Sequence, residues 1–257
     1  MIFLSFCYCL VTIYILRGGW RDPNGKLPFH APMDAWIMAA ASIAAMVYFF
    51  GPSQGMALII VIVIHEFGHV AAFRICGHND ARFRLVPLMG GVAISNRAPD
   101  GPMEDYFISL MGPAICLAPT LLALSVVYAG IDMPDIARTF IWHFGISSAT
   151  LNFLNLLPIG PLDGGKISRV LFGQFFPKLE RPFNIFTIIL AMAVAAYLQW
   201  YIVMVITALY IPQLARQQTY VKVRKLTPGQ GALLLAAYLF TTTTFLIAGL
   251  PLIRAYL

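Results

Sequence analysis

The chain has 257 residues, of which 60% are hydrophobic and only 11% are charged. This composition excludes a water-soluble domain and indicates a polytopic membrane protein. The formal net charge of +6 would suggest a nucleic-acid partner in a soluble chain, but the basic residues fall in short loops between apolar segments, where they indicate orientation in the membrane instead.

The N-terminal region, residues 1–51, contains two apolar segments. The first, residues 1–16, has no basic region before it and no small-residue cleavage pattern after it, which favours a retained span over a removed signal peptide. Arg17, Arg21 and Lys26 follow in a loop, so the positive-inside rule predicts an outer N-terminus and a cytosolic loop. A second span is predicted for residues 35–50.

The third apolar segment carries the most distinctive motif of the chain, His65-Glu66-x-x-His69. On a helix His65 and His69 project from one face, close enough to share a metal ion, and Glu66 lies beside them. Such ligands suit Zn²⁺, which leaves positions for a third protein ligand and a water. Ionisable groups in a bilayer-length segment cost on the order of a few kcal/mol each when unpartnered. Metal binding is therefore favoured over a buried polar cluster that only packs helices.

The basic residues from Arg74 onward predict that this helix ends on the cytosolic side. At about 1.5 Å rise per residue, His69 lies roughly 7 Å and His65 roughly 13 Å from Arg74 along the helix axis. The candidate metal site is therefore predicted within the membrane, nearer to its cytosolic face.

The polar, Pro- and Gly-rich stretch at residues 78–105 is not expected to cross the membrane. Within it, residues 83–95 predict two short strands around the break at Gly90-Gly91. We therefore expect a small membrane-associated β-hairpin after the His-Glu helix. Its free edge would offer unpaired amides and carbonyls to an extended peptide, and an ordinary surface hairpin is the equally open alternative.

Two more spans are predicted, at residues 106–129 and from residue 140 to the break at Pro158. On the second of them Asn152 and Asn155 lie three positions apart and therefore share a helical face.

The turn after this span places Asp163 in Pro- and Gly-rich sequence at the cytosolic end of a membrane helix. Non-helical backbone at such a depth requires cover by protein or a cavity. Because the third span ends on the same side of the membrane, Asp163 is predicted to be the third metal ligand. The alternative is a simple loop aspartate beside Lys166.

The remaining residues, 174–257, are predicted to form C-terminal membrane helices. The apolar run at 183–211 is long for one span and short for two, and the flanking basic residues favour a hairpin that turns near Gln199-Trp200 over one tilted helix. A last span is predicted for residues 231–250. The expected fold is an all-α polytopic membrane protein with about six to eight transmembrane helices and the small hairpin.

The first motif, together with Asn155-x-x-Pro158-x-x-x-Leu162-Asp163-Gly164, resembles the two signature motifs of the site-2 protease family, zinc metalloproteases that cut within membranes. The resemblance covers roughly residues 52–173, which we take as the catalytic membrane core. It implies one Zn²⁺ per chain, held by His65, His69 and Asp163, with Glu66 as the general base.

The same resemblance implies substrate contacts. Asn155 would hold the substrate backbone or polarise the scissile carbonyl. Gly90 and Gly91 belong to the segment Pro87-Leu88-Met89-Gly90-Gly91, which is similar to the hairpin that receives substrate in the family. Cys116 stands where the family pattern usually has asparagine. The stretch between the two motifs is too short and too apolar for an inserted PDZ domain, so a compact form without one is expected.

The resemblance therefore implies an intramembrane protease that hydrolyses peptide bonds within transmembrane segments of membrane-anchored proteins, in regulated proteolysis or in clearance of signal-peptide remnants. The expected location is a bacterial plasma (inner) membrane, with the active site toward the cytosol. Membrane-anchored substrates and the lipid bilayer are the expected partners, with no nucleic acid, and no residue identifies a regulatory partner.

Two other classes remain open. A catalytically silent zinc-binding scaffold would predict loss of Glu66 or of a ligand, and all four residues are present. A metal transporter should carry further ionisable ligands across the membrane, and the spans outside the two motifs have almost none.

Overall fold

The computed structural model describes residues 2–20, 33–86, 90–197, 199, 204, 207–208 and 225–256. Helices dominate this part of the chain, and its sheet is a two-stranded hairpin. In chain order the elements are α1 (Ile2–Leu16), a 3-10 turn (Arg17–Gly19), α2 (Met33–Phe50), α3 (Pro52–Ile75), β1 (Arg82–Val86), β2 (Gly90–Ile94), α4 (Pro102–Tyr128), α5 (Asp135–Asn155), α6 (Asp163–Phe175), α7 (Pro177–Tyr197) and α8 (Pro228–Tyr256). The predicted all-α polytopic class, with a small hairpin after the His-Glu helix, is confirmed.

Five apolar segments in the described ranges are long enough to cross a membrane. They are Ile2–Gly19, Pro52–Ile75, Pro102–Tyr128, Pro177–Tyr197 and Pro228–Pro251. Helix α2 adds a shorter apolar stretch, Ala35–Phe50. Helix α5 is not among the five, because its sequence mixes apolar residues with aspartate, arginine, histidine, serine and asparagine. The chain is thus an integral multi-pass membrane protein.

Helix α7 ends close to the turn predicted from the sequence. It stops at Tyr197, and Gln199 follows in the left-handed region, with φ 58°. The backbone N–H of Gln199 still donates to Ala196 O at 3.1 Å, a pattern typical of a helix C-terminus. The segment therefore does not continue as one long helix here, and most of the second half of the expected hairpin lies outside the described residues.

The chain forms two compact units. Unit 1 comprises Met1–Arg97, Met111–Phe153 and Thr241–Leu257, and unit 2 comprises Ala98–Leu110 and Leu154–Phe240. The division predicted from the sequence, 1–51, 52–173 and 174–257, stays a prediction.

Helix α3 is the centre of unit 1. Of the residues in its most apolar stretch, 61% are buried, against 22% in the corresponding stretch of α1. Glycines allow its neighbours to approach: a Cβ atom on Gly55 would lie 2.8 Å from Val47 Cα of α2, and one on Gly68 would lie 2.7 Å from Ile115 Cγ2 of α4. Small residues at such crossings let membrane helices pack backbone against backbone. Helix α3 also meets α5, where Ser53 Oγ and His143 Nδ1 share a 2.9 Å hydrogen bond.

Unit 2 is held together by side-chain bonds to backbone carbonyls. The hydroxyl of Tyr106 donates to Leu234 O, and that of Tyr238 donates to Leu156 O at 2.6 Å. A phenol can satisfy a carbonyl that has no helical partner, which matters most where water is excluded. The first bond joins α8 to the start of α4, and the second joins α8 to the turn that precedes α6.

The hairpin is antiparallel, in the register Arg82↔Ile94 to Val86↔Gly90. The expected strands are present, but Gly90 and Gly91 belong to β2 and pair with Val86 and Leu85, so they do not form the turn. The connecting residues, 87–89, lie outside the described part of the chain. Gly90 has φ +95°, a backbone conformation that favours glycine.

A polar latch, made of His78, Asp80, Ser95 and Asn96, joins the two ends of the hairpin. Ser95 Oγ lies 2.9 Å from His78 Nδ1 and donates to Asp80 Oδ1 at 3.1 Å. The backbone N–H of Asn96 donates to Asp80 Oδ2 at 2.6 Å. Because His78 follows the end of α3, the latch fixes both ends of the hairpin to that helix.

Candidate metal centre

The two motif histidines face each other on consecutive turns of α3. His65 and His69 are 4% and 6% exposed, and their Nε2 atoms lie 3.1 Å apart. Two unprotonated ring nitrogens at this distance repel each other unless a proton or a cation lies between them. The pair can therefore share either a proton or a cation, and the helical spacing predicts a cation.

Glu66 lies beside this pair and is 6% exposed. Strand β2 passes directly over it: a Cβ atom on Gly91 would overlap the Glu66 side chain and lie 2.8 Å from both Cδ and Oε1. Any side chain at position 91 would require the Glu66 side chain to move. Gly91, which the family resemblance associates with substrate, also lies against the Glu66 carboxylate, the expected general base.

The second histidine has a similar neighbour on α4. A Cβ atom on Gly112 would overlap the His69 ring, 2.7 Å from Cδ2. The sequence did not assign a role to Gly112. One turn further along α4, Cys116 is 2% exposed and its thiol contacts Val61 O of α3 at 4.0 Å.

Asn152 of α5 is the second residue that sequence reasoning left without a role. It is fully buried, and its Oδ1 lies 2.8 Å from His65 Nδ1. The only indication in the sequence was its spacing: Asn152 lies three positions before Asn155, so the two share a helical face. The sequence did not show that this face meets α3.

Asp163 is the first residue of α6 and is 5% exposed. Its Oδ1 accepts a hydrogen bond from Lys166 Nζ at 3.1 Å. Glycines make the preceding turn compact: a Cβ atom on Gly165 would lie 2.6 Å from the carbonyl of Ile159. Asn155 ends α5 and is half-buried.

The described residues contain one group of histidine, cysteine or acidic side chains able to hold a metal ion, namely His65, His69 and Asp163. One ligand atom from each lies within 4.8 Å of the others, and all three residues are buried. Two imidazoles and a carboxylate are a donor set that suits Zn²⁺. The residues present therefore fit a zinc ion.

Comparisons with known proteins agree with this chemistry. Residues 37–157 match the family described as Peptidase M50B-like, and residues 132–198 match Peptidase family M50. A putative zinc metalloprotease, Rip3 of Mycobacterium tuberculosis, is 30% identical over 49% of this chain and 32% of its own length. Stage IV sporulation protein FB of Bacillus subtilis is 26% identical over 62% of this chain and 51% of its own length. The chain thus spans a third to a half of these relatives.

Among solved structures, the chain is similar to a site-2 protease from Methanocaldococcus jannaschii. The sequence identity is 18% and the TM-score is 0.46, over 76% of this chain and 92% of the other.

Proposed function

This chain belongs to the site-2 protease family, peptidase family M50, and we propose on that basis that it hydrolyses peptide bonds within the membrane-spanning segments of membrane-anchored proteins. The observation that carries the proposal is the buried group of His65, His69 and Asp163 beside Glu66, in a chain made of apolar helices.

One zinc ion per chain is proposed, with His65, His69 and Asp163 as its ligands. Bound there, Zn²⁺ would polarise the scissile carbonyl and lower the pKa of a water molecule to about 7. The support for this assignment is the donor set and its geometry, since one ligand atom from each residue lies within 4.8 Å of the others and Zn²⁺ prefers imidazole and carboxylate ligands.

Glu66 is proposed as the general base. It directly follows His65 in the chain and is buried, and a carboxylate is a common general base. In this role its carboxylate takes a proton from the attacking water and then donates it to the leaving nitrogen of the cleaved peptide bond.

The hairpin is proposed as the surface that receives the substrate. A transmembrane helix hides its peptide bonds, so the substrate must unwind before it is cut. In the described residues β2 pairs with β1 alone, which leaves one edge of β2 for an added strand. Because β2 lies against Glu66 at Gly91, a peptide paired there would run past the base. We assign Gly90 and Gly91 to this surface and Asn155 to the scissile carbonyl or the substrate backbone.

We place the protein in a bacterial inner membrane with its site nearer the cytosolic face. The basic residues Arg74, in the last turn of α3, and Arg82 and Arg84, after it, support this orientation. Membrane-tethered regulators and signal-peptide remnants are the proposed substrate classes.

The test compares wild type with Glu66→Gln in liposomes that contain single-span substrates, half of them carrying helix-breaking residues. New peptide termini are followed by mass spectrometry, and bound zinc is measured by elemental analysis. We expect wild type to cut inside the spans and Glu66→Gln to keep its zinc but lose turnover by several orders of magnitude. Asp163→Ala should lose both zinc and turnover.

The matched control is Asp132→Asn, which removes an exposed carboxylate outside the helices. It should cut like wild type. Turnover by Glu66→Gln would contradict the assignment of the base. Zinc-loaded wild type that leaves even the helix-breaking substrates intact would favour a catalytically silent scaffold.

A further inference from the structure

Asn152 is a buried polar residue that the proposed mechanism does not use. It is fully buried on α5, and each of its amide atoms has a partner. Its Nδ2 donates to Ser148 O at 2.8 Å and to Ser148 Oγ at 3.3 Å, and its Oδ1 lies 2.8 Å from His65 Nδ1.

These contacts determine which way the amide points. A backbone carbonyl can only accept a hydrogen bond, so the group that faces Ser148 O must be the amide nitrogen. The amide oxygen then faces His65 and can only accept. His65 Nδ1 must therefore carry a proton, and a neutral imidazole with a proton on Nδ1 has a lone pair on Nε2.

The same donor direction continues away from the site. Thr120 Oγ1 donates to Cys116 O at 2.6 Å, which leaves Ser148 Oγ to donate to Thr120 Oγ1 across a 2.6 Å contact. Ser148 Oγ is then free to accept from Asn152. Ser148 and Thr120 are both fully buried. We call the row from His65 through Asn152 and Ser148 to Thr120 the relay.

Reversal of the relay would turn the amide oxygen of Asn152 toward Ser148 O and leave two buried acceptors facing each other. In a membrane interior no water replaces the lost partner, so such an unsatisfied group is costly. The arrangement therefore favours one tautomer of His65.

We propose that Asn152 is a positioning residue, which, with Ser148 and Thr120 behind it, holds His65 as the Nδ1–H tautomer so that Nε2 is always available to the metal. The inference rests on the proposed zinc site. Hydrogen-bond partners of metal-bound histidines typically change metal affinity by about 10- to 100-fold when removed.

The first test measures zinc affinity by competition with a chelator in detergent. Asn152→Leu removes the acceptor and should weaken zinc binding about 10- to 100-fold. Asn152→Asp keeps an acceptor against His65 Nδ1 but loses the donor to Ser148 O, so it should recover only part of the affinity that Asn152→Leu loses. The matched control is Asn184→Leu, the same change at a buried asparagine of α7, which should leave the affinity unchanged.

The second test reads the tautomer directly in metal-free protein labelled with ¹⁵N-histidine, because protonated and unprotonated ring nitrogens give separate signals. His65 is assigned by comparison with His65→Gln. We expect a proton on Nδ1 of His65 in wild type and a mixture of tautomers in Asn152→Leu. Since no zinc is present, this result does not depend on the proposed function.

Either of two results would overturn the proposal: a folded Asn152→Leu protein with wild-type zinc affinity, or a proton on Nε2 of His65 in wild type. If Asn152→Leu does not fold, Ser148→Ala replaces it, with an expected loss of roughly threefold or more in affinity. Unchanged affinity in that variant would equally count against the relay. Failure of wild type to bind zinc would instead refute the proposed function.

Discussion

Two glycines set the space around the candidate site. Gly91 lies against Glu66, and Gly112 lies against His69. In each case the neighbour is an atom of a proposed functional side chain. A methyl group at either position would therefore displace a proposed functional side chain, so we expect its main effect on the site rather than on the fold.

We expect Gly112→Ala to impair zinc binding. The added methyl overlaps the His69 ring, which must then turn away from His65 or push α4 outward. Overpacking of this kind costs about 1–3 kcal/mol. Zinc affinity should fall by tenfold or more, as read by chelator competition.

The matched control for that variant is Gly249→Ala in α8. A Cβ atom there would meet nothing nearer than Ala149 Cβ at 3.9 Å. This control should bind zinc like wild type. Equal affinity in the two alanine variants would show that His69 adjusts without loss, contrary to our expectation.

At the scale of elements, the position of the hairpin determines how Glu66 is covered. Strand β2 covers Glu66, and the polar latch ties the hairpin to the end of α3. The backbone N–H of Asn96, aided by the Ser95 hydroxyl, holds the pKa of Asp80 below its ordinary value. The folded hairpin therefore favours the charged form of Asp80.

This lowered pKa gives the latch a defined pH dependence. The stabilisation is complete above the unfolded pKa of Asp80, about 3.9, and is lost as the pH falls through the lower folded pKa. At neutral pH, Asp80→Asn should speed hydrogen exchange of the β1 and β2 amides. Wild type should show the same increase, beyond the ordinary pH dependence of exchange, only below about pH 4.

The control for this prediction is Asp132→Asn, which changes an exposed aspartate away from the hairpin. It should leave exchange in β1 and β2 unaltered. Protection of those amides in Asp80→Asn that matches wild type at neutral pH would show that the latch does not hold the hairpin.

At the scale of the whole molecule, the proposed zinc site would couple metal binding to folding. The proposed ligands come from α3 and from the start of α6, so an unfolded chain does not hold them together. A ligand that binds only the folded state stabilises it, by about 2.7 kcal/mol when its free concentration is a hundred times its dissociation constant.

Removal of zinc with a strong chelator should therefore lower the thermal midpoint of wild type in detergent. Glu66→Gln should show the same decrease, because it keeps the three ligands. His69→Ala should start from a lower midpoint and show no further decrease. A wild-type thermal midpoint that is the same with and without the chelator would argue against a contribution of the metal to stability.

The sequence by itself determined the membrane class, the His-Glu helix and the hairpin after it. These are local properties: apolar length, helical spacing, and Pro and Gly in turns act over a few consecutive residues. The sequence predicted Asp163 in a turn, whereas in the structure Asp163 is the first residue of α6. Only the tertiary structure decided that Asn152 is the partner of His65, and that Gly91 and Gly112 lie against Glu66 and His69. Asn152 and His65 are separated by 87 positions in the chain. Such pairs form when α3, α4, α5 and the hairpin pack together. The packing energy is the sum of many weak contacts between residues far apart in the chain, so a pattern of consecutive residues does not predict it.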